Sequence, residues 1–298
     1  MNVEITFLGT ASHTPTPSRN HTSILINYDS EKILVDCGEG TQRQFKIAGI
    51  NMCKLTRILI THWHADHVLG LPGLLQTLYM SDYSKKLEIY GPKGTKRKIE
   101  LLEKVYGNFK IKYIVKEILE GTFIDERSFK IEAKQMSHNL PALAYSFIIK
   151  DKIRIDKPML KKFDLPNSHL IGELQKGKNI TFKGKKIKYK EVTYIEEGKK
   201  ISIVMDTEPN TNLERIAKKA DLLICESTFH SKEEEKAKEY KHMTSKQAAS
   251  LAKKAKTKML ALTHISTRYD RSTKDLLDEA KKIFPKTIIP KDFDKIKV

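Results

Sequence analysis

Thr61-His62-Trp63-His64-Ala65-Asp66-His67 follows directly on the apolar run Ile58-Leu59-Ile60. Three imidazoles and a carboxylate therefore leave a buried strand together. Along an extended chain residues two apart point the same way, so His62 and His64 can share one ion, and the turn that follows presents Asp66 and His67 to a second position. Imidazole with carboxylate suits zinc, with manganese or iron as alternatives, and an uneven ligand supply leaves room for water. The competing reading is a surface cluster of separately satisfied histidines. Three His and one Asp within six residues argue against it.

Two ions need more ligands than one heptapeptide holds, and the chain repeats the pattern of a polar residue capping an apolar run three more times. Ser137-His138 comes after the strand-like segment from Phe129 to Ala133, Asp206 after Ile201 to Met205, and His264 after Met259 to Thr263. In layered α/β folds the strand ends are where side chains from distant sequence converge, so the repetition favours one shared pocket.

The 298 residues suffice for one large domain or two average ones, and a hydrophobic content of 39% suffices for a core. Lys and Arg outnumber Asp and Glu by 55 to 37, a net charge of +18, which makes a polyanion such as nucleic acid the natural partner. Cys37, Cys53 and Cys225 form neither a disulfide framework nor a CxxC motif, which fits a reducing compartment. The N-terminus has no signal-peptide pattern, and no apolar run approaches the roughly 18 residues that span a bilayer. A soluble cytoplasmic protein is expected.

Along the chain, strands are expected at Val3 to Leu8, Ser23 to Asn27, Lys32 to Val35 and Lys86 to Tyr90, with a hairpin turn from Tyr28 to Glu31. Helices are expected over Gly40 to Ala48, Val68 to Met80 and Thr95 to Tyr106, and the alternation resumes in the second half. Residues 151 to about 190 interrupt it. Pro158, Pro166, Gly172, Gly177 and Gly184 punctuate that stretch, and between Lys150 and Lys200 there are 15 basic and 7 acidic residues.

Taken in order, Phe7-Leu8-Gly9-Thr10, the segment from Asp36 to Gln44, the His62 to His67 motif, Ser137-His138, Asp206-Thr207-Glu208-Pro209, Glu226-Ser227-Thr228-Phe229, His242-Met243-Thr244 and the segment from Thr263 to Tyr269 resemble the metallo-β-lactamase-fold hydrolases. The Gly38 to Gln44, His242 and Ser266 to Tyr269 segments narrow the resemblance to ribonuclease Z, the endonuclease family that removes 3′ trailers from precursor tRNA. The expected cytoplasmic location argues against an exported antibiotic-degrading lactamase. The resemblance implies a four-layer αββα sandwich over residues 1–298, with residues 151–190 as an inserted flexible arm that grips tRNA. It implies two zinc ions per subunit, one held by His62, His64 and His138 and the other by Asp66, His67 and His264, with Asp206 bridging. Asp36 would hold ligands in place from behind. His242 would contact the scissile phosphate and protonate the leaving oxygen, Glu226 would orient it, and Asp66 would also take a proton from the attacking water. Without the resemblance, His242 reads more readily as an exposed residue ahead of the Thr244-Ser245 helix start.

Arg19 and Arg268 are candidates for phosphate contacts, as are Lys157, Lys161, Lys162, Lys176 and Lys178 on the arm. Trp63, between two ligands, is expected to pack beneath the site. The family's usual homodimer, each arm serving the partner's site, is a further expectation. Two segments depart from the family pattern. Pro17 stands where a basic residue is common in the Pro15 to Asn20 loop, which is associated with cleavage position and discrimination against encoded CCA, and Asn167-Ser168-His169 follows Leu165-Pro166 in place of the arm's Gly-Pro element. The alternative within the same fold is a hydrolase of small phosphodiesters, which needs no basic arm.

Overall fold

The computed structural model describes residues 3–298. Two compact units divide the chain: one holds residues through Ile124, Ile131–Phe147 and Lys200–Val298, and the other Asp125–Lys130 and Ile148–Lys199.

Two seven-stranded sheets make up the larger unit's framework. The first runs, in spatial order, Lys295–Lys297, Glu4–Gly9, Ser23–Tyr28, Glu31–Val35, Arg57–Leu59, Leu87–Gly91 and Tyr113–Glu117. The second runs Thr287–Ile288, Leu260–Thr263, Leu222–Glu226, Lys200–Val204, Ala142–Ile149, Phe129–Met136 and Gly121–Asp125. Pairing is parallel from Glu31–Val35 through Tyr113–Glu117 and again from Lys200–Val204 through Thr287–Ile288. Strands such as Ile33-Leu34-Val35 are buried on both faces, as parallel strands covered on two sides require.

The two faces of each sheet meet different partners. In the first sheet Leu8, Leu25, Leu34, Ile58 and Ile89 pack with Phe45, Leu71, Leu74, Leu78 and Ile99 from the helices Thr41–Ile47, Gly70–Met80 and Thr95–Tyr106. In the second, Val204, Leu223, Cys225, Leu260 and Leu262 pack with the helices Thr211–Ala217, Ser245–Lys254 and Lys274–Ile283. The alternate residues Ile24, Ile26, Ile33, Ile203, Ile224 and Ala261 are as deeply buried. They face the other sheet: Tyr28 meets Phe147 edge-on at 5.5 Å, and the Tyr145 hydroxyl donates to the Ile60 carbonyl at 2.7 Å. Helices, two sheets and helices form the expected four layers.

The smaller unit is organised about its own apolar cluster of Leu160, Leu174, Ile180, Ile187 and Val192. Strands Lys152–Ile155 and Thr193–Glu196 pair antiparallel, and Ile180–Phe182 and Lys185–Ile187 form a hairpin. Lys183 and Gly184 turn that hairpin with φ of 48° and 72°, the double positive φ that a tight two-residue hairpin turn demands. Asp156 caps the helix Lys157–Lys161 by accepting from the Met159 amide, with Pro158 in the first turn. Gly172, which reads as punctuation, instead lies within the helix His169–Gln175.

One other expectation is corrected, and the two large sheets hold strands that the sequence pattern does not announce. The helix expected from Val68 to Met80 begins at Gly70, and a separate helical turn, Ala65–Val68, carries Asp66 and His67 into the site. Tyr113–Glu117 and Gly121–Asp125 are strands where none is expected; both are sheet-edge segments with exposed charges that hide alternation. Ala142–Ile149 also escapes sequence reading, because it is buried at nearly every position and carries no period of two. The C-terminal Lys295–Lys297 closes the first sheet beside Glu4–Gly9.

Candidate metal centre

Strand ends deliver the site. Asp36 follows Glu31–Val35, His62 follows Arg57–Leu59, His138 follows Phe129–Met136, Asp206 follows Lys200–Val204, Glu226 ends Leu222–Glu226 and His264 follows Leu260–Thr263. Asp36 and His264 leave their strands in the left-handed region, at φ 59° and 58°. That conformation is costly for a residue bearing Cβ and marks backbone held by its surroundings.

Two glycines let the neighbouring loops close. A Cβ at Gly38 would stand 2.6 Å from the Asp66 carbonyl oxygen, and one at Gly70 would stand 1.9 Å from that of Gly38. In the space so freed the Cys37 amide donates to the His67 carbonyl at 2.8 Å and the Gly70 amide to the Cys37 carbonyl at 2.9 Å. The glycines thus lock Asp36 against the turn that carries Asp66 and His67.

The side chains gather in two clusters that share Asp206. In the first, His62 Nε2 lies 3.0 Å and His138 Nε2 3.1 Å from His64 Nδ1, while Asp206 Oδ2 is 3.5 Å from His62 and 3.9 Å from His138. In the second, His67 Nε2, His264 Nε2, Asp66 Oδ2 and Asp206 Oδ1 stand 3.2 to 3.4 Å apart in the pairs His67–His264, His67–Asp66, His67–Asp206, His264–Asp66 and His264–Asp206. Four ligands on a tetrahedral zinc at bond lengths of about 2.0 to 2.1 Å are separated by roughly 3.3 Å. The spacing therefore fits an ion within each cluster. Asp206 Oδ1 is buried with no hydrogen-bond partner, an orphan acceptor that a cation would satisfy.

Buried hydrogen bonds turn the ring nitrogens the right way. Asp36 accepts from the Thr61 amide and hydroxyl, both at 2.7 Å, and from His67 Nδ1 at 2.7 Å. The Lys241 carbonyl accepts from His138 Nδ1 at 3.1 Å. Burial, joined by the neighbouring imidazoles, pushes His62 well down and also lowers His64 and His138, which favours neutral rings with free lone pairs. Burial would also lower His67, but Asp206, Asp36 and Asp66 outweigh it and raise its pKa well above the usual range. Burial would raise Asp66 and Asp206; the surrounding imidazoles hold both carboxyls far below their ordinary values.

His242 does not cap a helix. Thr244 does, accepting from the Gln247 amide while Gln247 Oε1 accepts from the Thr244 amide, a reciprocal cap that fixes the chain two residues beyond the imidazole. His242 Nδ1 contacts the fully buried Glu226 carboxylate at 3.0 Å, and its Nε2 lies 3.9 Å from Asp206 Oδ2. Burial alone would lower this imidazole, yet Glu226 and Asp206 raise it to about 9.

His64, Asp66, His138, Asp206, His242 and His264 all line a cleft of about 610 Å³. Arg268 lines it too, its guanidinium resting on the Phe229 ring and donating to Ser266 Oγ. Arg19 does not: it is 6% exposed and donates to Thr10 Oγ1 and the Pro290 carbonyl, so its charge braces the N-terminal loop rather than facing a phosphate. Trp63 packs against the apolar core of the first sheet, its indole donating to Thr95 Oγ1 at 2.9 Å. Lys157, Lys161, Lys162, Lys176 and Lys178 are exposed on the smaller unit, the last two paired with Glu173 at 2.8 Å each. Sequence reading gives no role to His13, whose Nδ1 lies 3.5 Å from Asp66 Oδ1 at the cleft rim, nor to Thr61 and Thr228. Only the adjacency of the two threonines to site residues could have signalled them. Among the described residues no helix is long and apolar enough to cross a membrane.

A family model described as anti-Pycsar protein Apyc1 matches residues 3–165. A ribonuclease Z of Methanothermobacter thermautotrophicus is 38% identical over 99% of this chain and 97% of its own. One of Listeria monocytogenes is 39% identical over 97% of each. The crystal structure of human tRNase Z, short form, superposes with a TM-score of 0.72 at 27% identity, covering 98% of both chains.

Proposed function

The chain belongs to the ribonuclease Z family over its whole length and, through residues 3–165, to the Apyc1 family, and from that premise we propose how it performs tRNA 3′-end processing. It is an endoribonuclease of the metallo-β-lactamase fold that hydrolyses a phosphodiester of precursor tRNA. The observation that carries the mechanistic reading is the pair of ligand clusters joined through Asp206 at ion-binding spacing.

We infer that His62, His64 and His138 hold one zinc ion and Asp66, His67 and His264 the other, with Asp206 contributing to both, two ions per subunit. Such a pair, when bound, supplies Lewis acidity to the phosphate and makes water acidic enough to attack near neutrality. The remaining work falls to the chain. Asp66, buried beside the cleft, orients the attacking water and accepts its proton. His242, held by Glu226 as an imidazolium whose Nε2 faces the cleft, gives its proton to the leaving oxygen. Arg268 contacts a phosphate oxygen from the rim.

The smaller unit, with the exposed lysines at 157, 161, 162, 176 and 178, is the tRNA-gripping arm in this reading, gaining affinity by releasing counterions from phosphates and not by reading sequence. A homodimer is supported by the exposed apolar side chains of Ile47, Leu69, Tyr79 and Met80 on or beside the packed helices Thr41–Ile47 and Gly70–Met80. Its three free cysteines suit a cytoplasmic location. Mapping the 3′ end left on a precursor tRNA transcript tests the whole: a single cut after the discriminator base, abolished by a chelator, is expected. Turnover of only small phosphodiesters would favour the alternative hydrolase.

A further inference from the structure

Two buried carboxylates in this molecule each serve two imidazoles, and in each case a threonine hydroxyl makes the sharing possible. Asp36 Oδ2 meets His67 Nδ1 directly at 2.7 Å and reaches His62 through Thr61, whose Oγ1 donates to Asp36 at 2.7 Å and stands 3.1 Å from His62 Nδ1. Glu226 repeats the arrangement on the opposite sheet. Its Oε1 contacts His242 Nδ1 at 3.0 Å, and its Oε2 accepts from Thr228 Oγ1 at 2.7 Å, while that oxygen stands 2.8 Å from His264 Nδ1.

A hydroxyl has one proton to give. Each threonine spends it on a carboxylate that can only accept, so its lone pairs are what face the histidine. The Nδ1 of His62 and of His264 must then carry a proton, which leaves Nε2 unprotonated and aimed into the ligand cluster. Water cannot substitute for either hydroxyl, because both threonines are buried, Thr61 at 1% and Thr228 at 5% exposure.

We propose that Thr61 and Thr228 are positioning residues that lock the metal-binding tautomer of one histidine each, Thr61 acting on the ion of the His62 cluster and Thr228 on the ion of the His264 cluster. The inference rests on the two-ion reading above. Glu226 reaches further than Thr228 does, because its Oε1 also accepts from the Thr207 amide next to Asp206 at 2.9 Å. One carboxylate thereby fixes the proton donor, a terminal ligand and the strand end that carries the shared ligand.

Valine matches threonine in shape and lacks the hydroxyl, whereas serine keeps it. The test is equilibrium zinc binding and zinc content per subunit for the purified wild type, Thr61→Val, Thr228→Val and the two serine variants, with circular dichroism to establish folding. Each valine variant should bind one of its two ions about 10- to 100-fold more weakly, and each serine variant should restore it. Adding Thr228→Val to His264→Ala should weaken zinc binding no further, whereas adding it to His64→Ala should leave neither site tight. Wild-type affinity for both ions in the valine variants would overturn the proposal, as would serine variants as impaired as valine. Wild type that binds no zinc would instead sink the two-ion reading, so the two failures are distinguishable.

Discussion

The metal centre and the smaller basic unit place charge in opposite settings. At the centre, Asp36, Asp66, Asp206, Glu226, His62, His67 and His264 are buried, and almost every polar atom has a designated partner. On the smaller unit Lys157, Lys161, Lys162, Lys176 and Lys178 stand in solvent, and the ion pairs of Lys176 and Lys178 with Glu173, like that of Lys188 with Glu191, are surface pairs. Buried groups cost several kcal/mol when their partner is removed, while a surface pair is worth about 0 to 1 kcal/mol. The first region should therefore fail at single substitutions and the second only by degrees.

The largest effect tests the first half of that contrast. Asp66→Ala should abolish precursor cleavage, a loss on the order of 10³-fold or more, while leaving tRNA affinity in a filter-binding measurement within about twofold of wild type. Intact cleavage would remove the centre from the mechanism. Next, the smaller unit should be separable. The Gly198 amide already donates to Asp151 Oδ1 at 2.7 Å, so removing residues 152–197 joins ends that touch. Precursor cleavage should fall about 100-fold or more, the share that substrate grip and positioning contribute, with hydrolysis of a chromogenic phosphodiester preserved. Equal loss of both activities would refute the arm assignment.

His242→Ala should cost about 10² to 10⁴ in rate, the range of a proton donor. Because the folded pKa is raised from 6.5 to about 9, the imidazolium also stabilises the metal-free protein. That contribution is full below pH 6.5 and is lost as pH rises through about 9. Thermal melts of chelated wild type should drop across that window and those of His242→Ala should not; parallel curves would show that the pair with Glu226 is not charged. The smallest effect separates lysines from one another. Lys161→Ala with Lys162→Ala should reduce the salt dependence of tRNA binding by about one unit of slope per lost phosphate contact. Lys176→Ala with Lys178→Ala should do less, since both already face Glu173. Identical slopes would mean that neither pair touches RNA.

The same contrast governs how much is legible in the sequence. Ligand residues announce themselves because few positions tolerate His or Asp after a buried strand, so the sequence alone places His62, His138, Asp206 and His264 at one pocket. Asp36 and Glu226 are visible only through resemblance, as nothing in a lone carboxylate tells which imidazole it will meet. Thr61 and Thr228 are invisible, since a threonine beside a ligand looks like any strand-end hydroxyl. Arg19 misleads because its neighbours are polar in sequence, while in space Thr10 and the Pro290 carbonyl enclose it. On the smaller unit, charge density masks the apolar residues at 160, 174, 180, 187 and 192, which are spaced too irregularly to show a period.

Asp36 and His264 hold a backbone geometry, φ 59° and 58°, that costs a side-chain-bearing residue on the order of 1 kcal/mol or more. Only the work they perform justifies them. Glycine would relieve that strain at either position, yet at Asp36 it would also strip the Thr61 amide and His67 of their buried acceptor, so strained backbone and buried contacts stand or fall together. A homologue carrying Gly in place of either residue should therefore have rebuilt the surrounding contacts as well, not merely relaxed its backbone.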